Sequence, residues 1–206
     1  KKRTSAWIAQ RNGRTKDGHD RTEPGLFKMF NFSGGCDFDI SFRELNIVPL
    51  SVSYEYEPCC AFKVREMSAV ARGMVYQKAP QEDLMNIITG ITQEKGHIHL
   101  AVCTPVNQYL QEVEGIEGNT EKINKLAALM DAEIYRNYKL WPNNFIACDI
   151  LNGNERFSAH YSPAEKETFK AYMEKELAKL QESDSLQQEI FLKIYATPVI
   201  NAGISA

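Results

Sequence analysis

No run in the 206 residues approaches the ~20 consecutive apolar positions that a membrane-spanning helix needs, so integral insertion of this segment is excluded. Cysteine is scarce. The five are Cys36, Cys59, Cys60, Cys103 and Cys148, an odd number with two adjacent and no C-x-x-C pair. That argues against a structural zinc site or a secreted disulfide framework and for reduced core thiols. No initiator Met and no signal-peptide pattern precede Lys1-Lys2-Arg3-Thr4, an opening expected of a segment cut from a longer polypeptide. Repeats, low-complexity tracts and linkers are also missing, so a single domain over 1–206 is the economical expectation. With 43% hydrophobic and 25% charged residues the composition is that of a globular protein. At this length, folding buries roughly 70% of the surface of the extended chain.

Charge is unevenly placed. Residues 1–28 hold eight Lys and Arg against three Asp and Glu, while the remainder holds sixteen against twenty-four. A basic end on an acidic body points to a local anionic partner rather than to general nucleic-acid affinity.

Thr4 to Ala9, with Ala6-Trp7-Ile8-Ala9 at its centre, has the short continuous apolar pattern of a buried strand in an α/β sheet. A second strand is expected over 46–54, where Pro49 belongs at an edge, a strand start or a bulge. A third is expected over 97–102. Helices are expected over 24–31, 62–70, 81–93, from Asn119 or Thr120 to Pro142, and over 162–181, the last opened by the capping box Ser162-Pro163-Ala164-Glu165. An apolar-rich segment interrupted by Pro198 closes the chain. The fold class expected from this order is α/β: a mostly parallel or mixed sheet flanked by helices within about 1–118, with a helical C-terminal extension over about 119–206.

The loop after the first expected strand is the leading site candidate. Arg11, Arg14 and Lys16 fall within six positions, flanked by Gly13 and Gly18. Glycine lets backbone approach an anion, and Arg offers phosphate a bidentate fork. The spacing is not that of a Walker-type nucleotide loop. His97 and His99 share a strand face but have no neighbouring Cys or acid in sequence to complete a metal site. His19-Asp20 are adjacent and do not converge as a base and its orienter, and His160 precedes a helix cap. No metal and no catalytic residue is assigned from the sequence.

Trp7 to Gly18 with Asp20-Arg21-Thr22, Leu45 to Tyr56, and Tyr138 to Ala147 together resemble the glycerophospholipid acyltransferase family, in particular its bacterial glycerol-3-phosphate and lysophosphatidate acyltransferase-like members. The resemblance implies a phosphate-holding loop of the type F-x-E-G-x-R, carried by Arg11, Gly13, Arg14 and Lys16. It also implies a V-P-x-x-I/V block shaping the active site, carried by Val48 and Pro49. Arg11 stands at the motif's glutamate, or Asn12 if the match slides by one, so the acid is absent either way. The family's N-H-x-x-x-x-D block has no match, which places the catalytic pair upstream of Lys1. The implied activity is transfer of a fatty acyl group from acyl-CoA or acyl-carrier protein to a glycerophosphate-type acceptor. It needs no cofactor and no nucleic acid, and it takes place in the cytoplasm, peripherally on the inner face of the membrane. Two alternatives stay open: a polyanion-binding module using residues 1–28 with Trp7 for stacking, and an inactive lipid-bound scaffold.

Overall fold

The computed structural model describes residues 4–11, 16, 18–19, 21–33, 37–180 and 184–204. Among them the protein is mostly helical: α1 (Pro24–Ser33), α2 (Phe38–Leu45), α3 (Cys60–Ala71), α4 (Glu82–Thr92), α5 (Asn119–Asn137), α6 (Pro142–Asn152), α7 (Pro163–Leu177) and α8 (Ser185–Asn201). Short 3-10 helices cover Val106–Val113 and Ser158–His160. Its described strands are β1 (Leu50–Tyr54) and β2 (Ile98–Val102), which form one two-stranded sheet. The Pro49 carbonyl accepts the Cys103 amide and the Glu55 amide donates to the His97 carbonyl, both at 3.0 Å. These pairings run in opposite senses, so the ladder is antiparallel.

The expected α/β architecture, a mostly parallel or mixed sheet flanked by helices, is therefore wrong. The error begins at Thr4 to Ala9, which is not a strand: Trp7 is 80% exposed and Ile8 54%. Four apolar residues carry too little period to separate a buried strand from irregular chain. What fixes this segment is polar. Gln10 Nε2 donates to Asp131 Oδ1 at 3.1 Å and to Thr22 Oγ1 at 3.0 Å.

The chain divides into two compact units. One takes in the described parts of Lys1–Thr15, Asp20–Ser51 and Ala101–Asn137. Its core joins Phe27 of α1 and Phe42 of α2 to Val106 and Leu110 of the 3-10 helix and to Leu126 and Met130 of α5. Asp37 caps α2 by accepting the Ile40 amide at 2.8 Å. The other unit takes in the described parts of Lys16–His19, Val52–Leu100 and Tyr138–Ala206. There α6, α7 and α8 pack around Ile146, Phe169, Phe191 and Val199, with Val64 of α3. The capping box of α7 forms as its sequence predicts, with Glu165 N donating to Ser162 Oγ at 3.2 Å and Ser162 N to Glu165 Oε2 at 2.7 Å. Pro142 is the first residue of α6, and Asn144 Oδ1 accepts the Trp141 amide at 2.7 Å to close that helix start.

Among the described residues, no helix is long and apolar enough to cross a membrane.

Candidate functional site

Of the residues assigned to the phosphate loop, Gly13 and Arg14 lie outside the described residues, and Arg11 is half-buried in the first unit. Lys16, Gly18 and His19 belong to the second unit, where the end of α8 positions them. Pro198 sits inside α8 and has no N–H to give the Ile194 carbonyl one turn back. Gly18 comes in against that place: a Cβ on it would lie 3.0 Å from the Ile194 carbonyl oxygen and 3.2 Å from Pro198 Cδ. Its φ of +72° and this approach both call for glycine. Asn201 Nδ2 donates to the Gly18 carbonyl at 3.0 Å, and its Oδ1 lies 3.1 Å from His19 Nδ1. Lys16, held by this docking, sets its ammonium 2.5 Å from Glu66 Oε1 on α3.

Val48 and Pro49 fall in the first unit, just before β1. Pro49 is buried and Val48 exposed. The expected strand over 46–54 thus begins four residues late, at Leu50, and Pro49 lies one residue outside it, where a missing ladder donor costs nothing.

His97 Nδ1 lies 2.6 Å from Glu55 Oε2, which also accepts the His97 amide at 2.9 Å. Its ring stacks on Trp141 with centroids 5.5 Å apart. Antiparallel register alone brings Glu55 to His97, so sequence spacing held no signal of it. His160 stacks on Phe145 at 4.1 Å. Among the described residues, no group of three or more His, Cys, Asp or Glu is placed to hold a metal ion.

A cleft of about 380 Å³ within the second unit has no distinctive signature in the sequence. Tyr56, Glu57 and Pro58 after β1 line one wall, Gln93 and Glu94 after α4 another, and one face of α7 from Thr168 to Glu176 the third. Tyr56 and Tyr172 meet there with ring centroids 4.7 Å apart at 60°. Hydrogen bonds tie Tyr172 and Glu57 together: the Glu57 amide donates to Tyr195 OH at 2.9 Å, Tyr195 OH donates to Tyr172 OH at 3.1 Å, and Tyr172 OH donates to the Glu57 carbonyl at 3.3 Å. Burial, then the Glu55 charge, pushes the Tyr56 phenol up. Burial, then the Cys60 thiol, pushes Tyr172 up, so both rings stay neutral at physiological pH. The only sequence signal was the helical spacing of Thr168, Tyr172 and Lys175, which is indistinguishable from ordinary surface.

No family model, no curated protein and no solved structure matches the chain.

Proposed function

We propose that this chain supplies the acceptor-phosphate loop of an acyltransferase of phospholipid biosynthesis. The observation that carries the proposal is the run Trp7 to Gly18, in which Arg14 and Lys16 stand between Gly13 and Gly18 and Arg11 lies two positions before the first glycine. The strand expected before this loop does not form, so the reading rests on the sequence of the run alone.

In the proposed reaction the acceptor hydroxyl attacks the carbonyl carbon of an acyl thioester, from acyl-CoA or acyl-carrier protein. An ester C–O bond forms, the C–S bond breaks, and the thiolate leaves with the proton that the hydroxyl gives up. Arg14 and Lys16 neutralise the acceptor's phosphate and so hold the hydroxyl in place. Residues 1–206 contain no histidine with aspartate five positions on, so this chain is assigned binding and not proton transfer. The proposed setting is peripheral, at the cytoplasmic membrane face, where a glycerophosphate acceptor is met.

The test is calorimetric titration of the full chain with glycerol-3-phosphate against glycerol. Binding should require the phosphate, and Arg14→Ala should weaken it by the equivalent of about 1.5–3 kcal/mol, the worth of a hydrogen bond to a charged group. Unaltered affinity in Arg14→Ala, or equal affinity for glycerol, overturns the assignment.

One observation favours a second reading, a polyanion-binding module: Trp7 is open to solvent four positions before Arg11. An exposed indole beside cations is a stacking platform for single-stranded nucleic acid. Oligonucleotide affinity falling steeply with salt supports that reading, and no retention or a flat salt response removes it.

A further inference from the structure

We infer that the cleft over Tyr56 and Tyr172 is a binding site for an organic ammonium group. This goes beyond the acyl-transfer reading and does not depend on it. The two rings meet at 60° and form a corner of electron-rich surface. A cation within about 6 Å of such ring faces is attracted by their quadrupoles, and an anion is repelled. The corner is set in advance, because the hydrogen bonds joining Tyr172, Tyr195 and Glu57 fix the Tyr172 ring before any ligand arrives. At about 380 Å³ the cleft is within the range of small-ligand sites.

The charge of the walls selects the same ligand. Glu57, Glu94 and Glu176 line the cleft against one cation, Lys175. Glu57 is engaged by Lys63 at 3.1 Å and Glu176 by Lys179 at 2.5 Å. Among the described residues no ion pair engages Glu94, which leaves its carboxylate to face the ligand's charge. Lys175 competes for that place.

Titration of the full chain, followed by tyrosine ring resonances at fixed ionic strength, tests the assignment. The probes are tetramethylammonium, ethylammonium and the neutral isostere neopentyl alcohol. One or both cations should perturb Tyr56 and Tyr172 and bind roughly tenfold more tightly than the alcohol. Glu94→Gln should weaken the preferred cation several-fold and Lys175→Met should strengthen it. Both substitutions are at the cleft rim, and a circular dichroism spectrum identical to that of the parent checks that they fold. Tighter binding of tetramethylammonium marks a ring-faced quaternary head, and tighter binding of ethylammonium a hydrogen-bonded primary amine. Equal affinity for the alcohol, no response of the tyrosine rings, or indifference to both substitutions overturns the inference. None of these outcomes touches Arg14, so the acyl-transfer reading stands or falls separately.

Discussion

The ammonium of Lys16 lies 2.5 Å from the Glu66 carboxylate, so any phosphate that recruits this lysine must first displace an ion pair. Both side chains are partly exposed, and such pairs are worth about 1 kcal/mol or less. Glu66→Gln should therefore tighten glycerol-3-phosphate binding by up to about fivefold while leaving stability nearly unchanged. Lys16→Ala should weaken it. Calorimetry on the two variants decides the point: weaker binding in Glu66→Gln means Lys16 is not a phosphate ligand.

A second expectation concerns Glu133, buried in the first unit. Burial pushes its carboxyl up, but hydrogen bonds from Thr104 and Tyr109 and the charge of Arg136 outweigh it and bring the pKa to about 2. The Thr104 amide donates at 3.0 Å, Tyr109 OH at 2.7 Å and Arg136 at 2.5 Å. Because the folded pKa lies below the ordinary 4.5, the stabilisation is complete above pH 4.5 and is lost as pH falls through about 2. The depression corresponds to roughly 3 kcal/mol at neutral pH. Urea unfolding of Glu133→Gln should show a deficit of this order at pH 7 that shrinks below pH 4.5. A deficit constant with pH would mean the carboxylate charge is not what these donors stabilise.

Asp149 carries a comparable load in the second unit. It is fully buried on α6, and its two oxygens each lie 3.1 Å from the Phe157 amide, while Tyr161 OH donates to Oδ2 at 2.6 Å. Asp149→Ala leaves two donors without an acceptor, at about 1–3 kcal/mol each. Tyr161→Phe removes one bond and leaves the amide satisfied, so its cost should be the smaller. The double variant should cost less than the sum, since both changes break one network. Denaturant midpoints of the three variants measure the coupling, and strict additivity would contradict a shared acceptor.

Local signals in the sequence read well where one residue type has one physical use. The α7 box from Ser162 to Glu165 is of this kind, because capping acts within a few residues. The 97–102 strand was legible from its alternation. Thr4 to Ala9 failed because a short apolar run states hydrophobicity without period. Proline ends a helix or starts one equally well, so Pro142 opens α6 while the helix expected to run to it stops at Asn137. The Glu55–His97 pair and the tyrosine cleft depend on strand register and on which face of α7 meets the turn after β1. Neither is encoded in any window of neighbouring residues.

The least expected element is α4, whose amphipathic pattern is turned outward. Glu82 and Asn86 are its buried positions, and Asn86 gives its carbonyl to the Cys59 thiol at 3.4 Å. Leu84, Met85, Ile87, Ile88 and Ile91 are 43–73% exposed. Glu82 explains the inward polar face: its carboxylate accepts Tyr76 OH at 2.8 Å and the Ala79 amide at 3.1 Å, so it ties the preceding loop to the helix start. With this face outward, Ile87→Gln and Ile91→Gln should each change stability by no more than about 0.5 kcal/mol, as surface substitutions do. Glu82→Ala, which strands the Ala79 amide and the Tyr76 hydroxyl, should cost about 1–3 kcal/mol. Thermal unfolding of the three variants separates the two faces. A loss of about 2–5 kcal/mol at Ile87 or Ile91, the range for truncating buried aliphatics, would place the apolar face inward and refute the outward orientation of α4.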